Sequence, residues 1–244
     1  MTERTTDSKT GLIVSAHSAD FVWRAGGAIA LYSSRGYRMI VVCLSFGERG
    51  ESAKLWKQGN MTIEKVKDAR RKEAENSIAI LGGEPVFFDL GDYPLRVSDD
   101  AMLRLTELYR QHQPEFTLTH SLHDPYNFDH SLTAHVAQEA RITAQAWGHN
   151  PGEKVLGAPG VFCFEPHQPE QCNWKPEVIL DITEVWDKKW QAIQSMMGQE
   201  SLWHYYERVA LQRGVQGVRN SGNKAIQYGE AYMRIFPQVT DRFL

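Results

Sequence analysis

The chain has 244 residues, 42% of them hydrophobic and 23% charged, with a formal net charge of −3 when its nine histidines are counted neutral. That is enough chain for one α/β domain with a full core, and the composition is that of an ordinary globular protein. The lack of a basic excess argues against nucleic acid and anionic membrane as partners, and no stretch approaches the roughly 18 apolar residues of a membrane span.

Met1 to Thr10 is polar and reads as a flexible tail, with no apolar segment of the kind a signal peptide needs. Gly11 to Ala16 is a short apolar run bounded by polar residues, and so a buried strand. Asp20 to Arg35 carries helical spacing, with Val22, Ala25, Ile29 and Tyr32 on one side and Gly36 as the stop. Arg38 to Phe46 is a second buried strand. Its continuous apolar character predicts a parallel sheet covered on both faces. Residues 47–52 (Gly-Glu-Arg-Gly-Glu-Ser) form the loop that follows.

A charged helix is expected over Thr62 to Leu81, stopped by Gly82-Gly83, then a strand over Val86 to Phe88. A helix over Asp99 to Gln113 leads to a strand over Glu115 to His120, and a helix over His130 to Trp147 follows. After a Gly- and Pro-rich loop (150–160), strands are expected at Gly160 to Phe164 and Glu177 to Ile182. Helices over Thr183 to Met197 and Ser201 to Arg213 close the chain, so residues 183–244 read as a helical C-terminal part of a single domain. The aromatic residues there (Trp186, Trp190, Trp203, Tyr205, Tyr206) have helical spacing, which points to core or subunit packing. Strands alternating with helices give a Rossmann-like, doubly wound, mostly parallel α/β sheet.

In such sheets ligands bind beyond the carboxyl ends of the strands. Ionisable residues collect there: His17 and Asp20 after the first strand, Glu48 after the second, Asp89 and Asp92 after the third, residues 120–130 after the fourth, and Glu165 and His167 after the fifth. His17 and Asp20 are three residues apart where a strand gives way to a helix, a spacing that can hold a divalent metal. The same spacing also suits a polar loop whose Asp caps the helix. The run His120-Ser-Leu-His123-Asp124-Pro-Tyr-Asn127-Phe-Asp129-His130 packs three histidines and two aspartates into eleven residues, with His135 beyond. It is either a turn-rich surface loop or a ligand source. In the first turn of its helix His130 can point back over the sheet edge, completing a His-carboxylate-His set with positions left open for water or substrate.

These motifs resemble the PIG-L/LmbE superfamily, best known for zinc-dependent N-deacetylases acting on sugar derivatives. That family opens with Ala-His-Pro-Asp-Asp-Glu and a later Gly-Gly; this chain has Ala16-His17-Ser18-Ala19-Asp20-Phe21 and Gly26-Gly27. The family's Gly-Glu-x-Gly loop is matched at Gly47-Glu48-Arg49-Gly50. Its Arg-x-x-Glu helix ending Leu-Gly is matched at Arg70 to Glu73 and Leu81-Gly82, and its Pro-Asp-His at Phe128-Asp129-His130. The likeness covers residues 11 to about 145 in register. It implies the Rossmann-like fold, a homo-oligomer, and one Zn²⁺ on His17, Asp20 and His130, although the same ligands accept other divalent metals.

The departure lies at Ala19. The deacetylases carry their expected general base there, and alanine takes no proton; general-base catalysis is worth roughly 10²–10⁴-fold. With residues 47–52 and Phe164-Glu165-Pro166-His167, this makes the chain more similar to a branch of the superfamily that hydrates. The branch implies zinc-assisted addition of water to an unsaturated oxo-tricarboxylate of bacterial gallate breakdown. The three cysteines, Cys43, Cys163 and Cys172, have no metal-type spacing, and an odd count without a secretion-type segment predicts a reducing cytoplasm. Glu48 and His167 are the expected proton-transfer groups. Glu48 also has a plainer reading as a partner for loop amides or an Arg, and His167 as part of an extended surface loop. Arg49, Asp129, Asn127, His120 and Asp124 are expected to bind substrate or orient ligands. Arg24, Arg70, Arg71, Arg213 and Arg219 are further cations for its carboxylates. The alternative is N-deacetylation, with Asp129 or Glu48 in place of the missing base.

Overall fold

The first apolar run becomes β1 (Thr10–Ser15), in which every residue is buried, and it pairs in parallel with β2 (Arg38–Cys43) from Thr10↔Arg38 to Ser15↔Cys43. Side chains alternate across a sheet, so a strand buried on both faces has no polar face to show. Leu12, Val14, Ile40 and Val42 enter one core cluster, while Ile13, Met39, Val41 and Cys43 enter the other. This computed structural model describes residues 9–241. The tail expected over 1–10 lies outside them up to residue 8, and Thr10 is already in β1.

Helix α1 (Asp20–Ser34) follows β1; the short α2 (Ala53–Trp56) and the long α3 (Ile63–Leu81) follow β2. Strand β3 (Glu84–Phe87), α4 (Asp99–His112), β4 (Phe116–Thr119), α5 (Phe128–Gln145) and β5 (Gly160–Phe164) come next. Then follow β6 (Val178–Asp181), α6 (Trp186–Gln194), α7 (Trp203–Ser221) and β7 (Gly229–Arg234). The sheet order is β3-β2-β1-β4-β5-β7-β6. Residues of α1, α3, α6 and α7 fill one cluster and those of α4 and α5 the other, so the sheet is doubly wound as expected.

The chain builds outward from β1 through β2 to β3, then returns to place β4 on the other side of β1. That reversal opens a crevice at the carboxyl ends of β1 and β4. The loops after these two strands carry His17, Asp20 and residues 120–130.

The C-terminal part departs from the expected all-helical segment. Strand β7 inserts between β5 and β6, antiparallel to both, while the other pairs are parallel. Its sequence, Gly-Glu-Ala-Tyr-Met-Arg, has an apolar run of only three residues and a charged residue at its second position, yet its first four residues are buried. Glu230 explains how: its carboxylate accepts from the backbone N–H of Gly27 and Ala28 at 2.6 and 2.8 Å, from Tyr232 Oη, and from buried Lys189. A Cβ on Gly27 would lie 2.9 Å from that carboxyl carbon, so the second glycine of Gly26-Gly27 permits the approach. The flanking helices also shift. Residues 183–185 and 197–202 are 3₁₀ turns, α6 stops at Gln194, and α7 runs on to Ser221. The expected aromatic stretch packs on the core, with Trp186 stacked on Tyr228 and Trp23 on Tyr206. No helix among the described residues is long and apolar enough to cross a membrane.

Candidate active site

Residues 16–19 leave β1 and α1 begins at Asp20, with Ala19 in the N-cap position. The Asp20 carboxylate turns back to accept from the His17 N–H at 2.9 Å, which fixes the two side chains against each other. Across the crevice Asn127 caps α5 by accepting from the Asp129 N–H at 3.1 Å, so the helix starts two residues earlier than expected and His130 stands in its first turn. His17, Asp20, His130 and Glu51 each bring one nitrogen or oxygen into a group whose atoms all lie within 4.8 Å of one another.

Both imidazoles have their tautomers set from behind. A carboxylate can only accept, so Asp129, 3.2 Å from His17 Nε2, holds that nitrogen protonated, and Asp124, 2.9 Å from His130 Nδ1, does the same there. Two lone pairs remain, on His17 Nδ1 and His130 Nε2; both are buried and make no hydrogen bond. They face Asp20 at 3.2 and 3.4 Å and Glu51 at 3.1 and 3.9 Å. Buried imidazole lone pairs facing carboxylates, with further carboxylates bound behind them, make a donor set for a divalent cation. The residues present therefore fit a metal.

The carboxylates favour a positive charge at this point, and without a cation a proton competes for His17 Nδ1. Burial pushes the His17 imidazole down, but Glu51, Asp129 and Asp20 outweigh it and raise its pKa well above the usual histidine range. Burial pushes Asp129 up, yet hydrogen bonds from His17 and from the Tyr93 and Leu95 N–H groups bring it down to about 2. His120 stacks on His130 at 4.1 Å and its Nε2 accepts from the Ala16 N–H at 3.0 Å. Burial and the neighbouring His130 lower it to about 3, so His120 is a neutral brace for His130.

The two glutamates of the loop after β2 are placed differently. Glu48 is fully buried, and its carboxylate accepts from the Phe46 N–H and from Arg49, with Lys67 3.9 Å away. None of these partners belongs to the metal-binding group. Glu51, not singled out from the sequence, takes the place beside His17. Gly47 makes this possible: its φ of +69° turns the loop sharply, and a Cβ there would meet those of Glu51 and His17 at 3.2 and 3.3 Å. Two glutamates three residues apart in a glycine-rich loop offer no sequence signal for which one faces the crevice. Ala19 is wholly buried in the hydrophobic core.

The other expected residues divide. Asp129, Asp124 and His120 surround the group that fits a metal; Asn127 caps α5 and donates to Tyr93 Oη. Arg49 is tied to Asp92 and Glu48. Arg70 bonds Glu73 and Gln199, Arg71 bonds Glu75, and Arg213 pairs with Glu165, while Arg219, His123 and His135 are exposed. Arg24 is different. It is buried beside Asp20, donates from Nη1 to the Glu165 carbonyl, and leaves Nε without a hydrogen bond. His167 is exposed, and its Nε2 lies 2.9 Å from Tyr206 Oη. An open cleft of ≈ 630 Å³, lined by Glu51, Lys54, Lys57, Gln199 and Glu200 among others, leads to Glu51.

Comparison with known proteins adds four findings. Residues 12–141 match the family model described as PIG-L, GlcNAc-PI de-N-acetylase. The chain is 64% identical over 239 residues to a 4-oxalmesaconate hydratase of Pseudomonas putida, covering 97% of this chain and 93% of that one. Among solved structures it is similar to GalB, the 4-carboxy-2-hydroxymuconate hydratase from Pseudomonas putida KT2440. The TM-score is 0.95 at 63% identity, over 97% of this chain and 100% of that one. The N,N'-diacetylchitobiose deacetylase from Pyrococcus horikoshii shares the fold, with a TM-score of 0.74 at 24% identity over 94% of this chain and 84% of its own.

Proposed function

This chain belongs to the PIG-L family, and we propose that within it the protein is a hydro-lyase: a zinc-dependent hydratase that adds water to 4-oxalomesaconate, giving 4-carboxy-4-hydroxy-2-oxoadipate in gallate breakdown. The observation that carries the reading is the 64% identity to a hydratase over nearly the whole length of both chains. Ala19 supports it from the site, because the position of the deacetylases' base holds a buried methyl group.

His17, Asp20 and His130 hold the metal, with Asp129 and Asp124 orienting the two imidazoles. A bound Zn²⁺ supplies Lewis-acid chemistry to the oxo-carboxylate end of the substrate. Glu51 stands at the crevice end of the cleft, with its side chain 14% exposed, where the other members of the group are almost closed off. It takes, as general base, the proton-transfer part that the sequence reading gave to Glu48 without deciding between acid and base. It receives a proton from water, the hydroxyl bonds to one alkene carbon, and the electron pair moves toward the conjugated carbonyl. The other alkene carbon then takes the proton that Glu51 holds, while His167 offers its N–H to the enolate oxygen. Arg24, whose Nε makes no hydrogen bond, and Lys57 on the cleft wall answer the carboxylates of such a substrate.

The three buried free cysteines suit a cytoplasmic setting. The exposed Ile142 and Trp147, and Leu211 and Val215 on α7, offer apolar surface for the contacts of a homo-oligomer. The deciding assay follows the conjugated-alkene absorbance of 4-oxalomesaconate with the zinc-loaded protein. Loss of absorbance is expected. No loss, together with acetate release from N-acetyl sugars, overturns the reading.

A further inference from the structure

We infer that Tyr206 is a positioning residue whose hydroxyl donates to Nε2 of His167, fixing the ring proton on Nδ1 and making His167 face the substrate as a donor. The inference rests on the proposed part of His167 in hydration and adds the residue that sets its state.

The direction of the bond follows from counting donors. Tyr206 is only 5% exposed, and His167 Nε2, at 2.9 Å, is the sole hydrogen-bond partner of its hydroxyl among the described residues. If His167 donated from Nε2, the phenolic proton would have no acceptor in a buried position, at a cost of about 1–3 kcal/mol. With Tyr206 donating, both groups are satisfied and the imidazole proton sits on Nδ1. Nδ1 has no protein partner among the described residues, and the residue is exposed.

The tyrosine cannot readily turn away. Its ring stacks on Trp23 at 5.1 Å with an 8° interplanar angle. Its neighbour Tyr205 holds the other end of the histidine, donating to the His167 carbonyl at 2.9 Å and meeting the imidazole edge-on at 5.0 Å. Two successive residues of α7 thus fix the backbone and the ring of His167. The sequence reading placed both in the aromatic packing stretch.

The charged groups around the ring favour the neutral form. The residue is exposed at one edge, but its ring packs against Tyr205 and Tyr206, and that loss of hydration leads; Arg24 on α1 and His130 on α5 act with it, while Glu51 and Asp20 oppose, and the balance brings His167 down to about 4. At neutral pH the imidazole is therefore uncharged, with one lone pair, and Tyr206 occupies it. A neutral histidine offering N–H to a developing oxyanion is an established catalytic arrangement. Here it divides the labour: Glu51 accepts, and His167 donates.

The test is ¹⁵N NMR of the zinc-loaded, full-length protein labelled in histidine, with the His167 signals assigned by loss in His167→Gln. The expected spectrum shows a proton-bearing Nδ1 and a lone-pair Nε2. Tyr206→Phe, which keeps the stack on Trp23, is expected to mix the two tautomers, raise the ring's titration midpoint and lower kcat by roughly 5–10-fold. Tyr205→Phe is expected to leave the tautomer unchanged. A proton on Nε2 in the wild-type protein, or an unaltered tautomer in Tyr206→Phe, overturns the inference. If the tautomer is as expected but His167→Ala keeps full turnover, the catalytic reading of His167 fails while the Tyr206 assignment stands.

Discussion

Oε1 of Glu51 lies 3.1 Å from Nδ1 of His17, closer to that buried lone pair than either oxygen of its nearer sequence neighbour Asp20. The contact joins the loop after β2 to the loop after β1, and it depends on a glycine between them that has no Cβ to keep them apart.

Glu51→Gln is therefore expected to cut turnover by roughly 10²–10⁴-fold, the usual worth of a general base. Glu48→Gln is expected to cost far less, because its carboxylate is occupied by Phe46, Arg49 and Lys67. Steady-state kinetics of the pair decides between them. Equal losses would return Glu48 to the mechanism.

His17→Ala and His130→Ala each remove one of the two unpartnered lone pairs. Each variant is expected to lose stoichiometric metal by elemental analysis of the purified protein. Asp129→Asn keeps the ligands but loses the charge that orients His17, and should weaken metal affinity by roughly 10–100-fold. Full metal occupancy in both histidine variants contradicts the ligand assignment.

Asp129 also makes an acid-stability prediction for metal-free protein. Its pKa is lowered in the fold to about 2 from an ordinary 3.8. Its stabilisation is thus fully present above the unfolded value and is lost as pH falls through about 2. The shift corresponds to about 2 kcal/mol at neutral pH. Denaturant unfolding of Asp129→Asn between pH 2 and 6 should show lower stability at the upper end and a flatter profile at the lower end.

The Lys189–Glu230 pair is buried, at 2.6 Å, and Glu230 also serves two N–H groups of α1. Removing the carboxylate in Glu230→Ala leaves a buried, unpaired ammonium. A loss of about 3–5 kcal/mol is expected in urea unfolding. Replacing both partners with apolar residues should recover part of it. A loss below about 1 kcal/mol in the single variant would mean that Lys189 escapes to water.

The sequence by itself determined the core of this fold. Runs such as Leu12-Ile13-Val14 and Met39-Ile40-Val41-Val42 have no polar face, so they demand a sheet covered on both sides, and that demand is local to each strand. It also marked out His17 and Asp20, three residues apart at a strand end, and His130 in the first turn of a helix, side chains that the fold then gathers into one group. What depends on the direction of a loop or on a distant partner was decided only in three dimensions. Glu51 rather than Glu48 faces His17 because Gly47 turns the loop. Strand β7 exists because Glu230 is satisfied by α1 and Lys189, contacts that hydrophobic pattern does not encode. Tyr206, which reads as packing in its own helix, meets His167 across 39 residues of chain. Periodicity and spacing report what a residue does to its near neighbours; closure of the fold sets which lone pair, carboxylate or hydroxyl a residue finally meets.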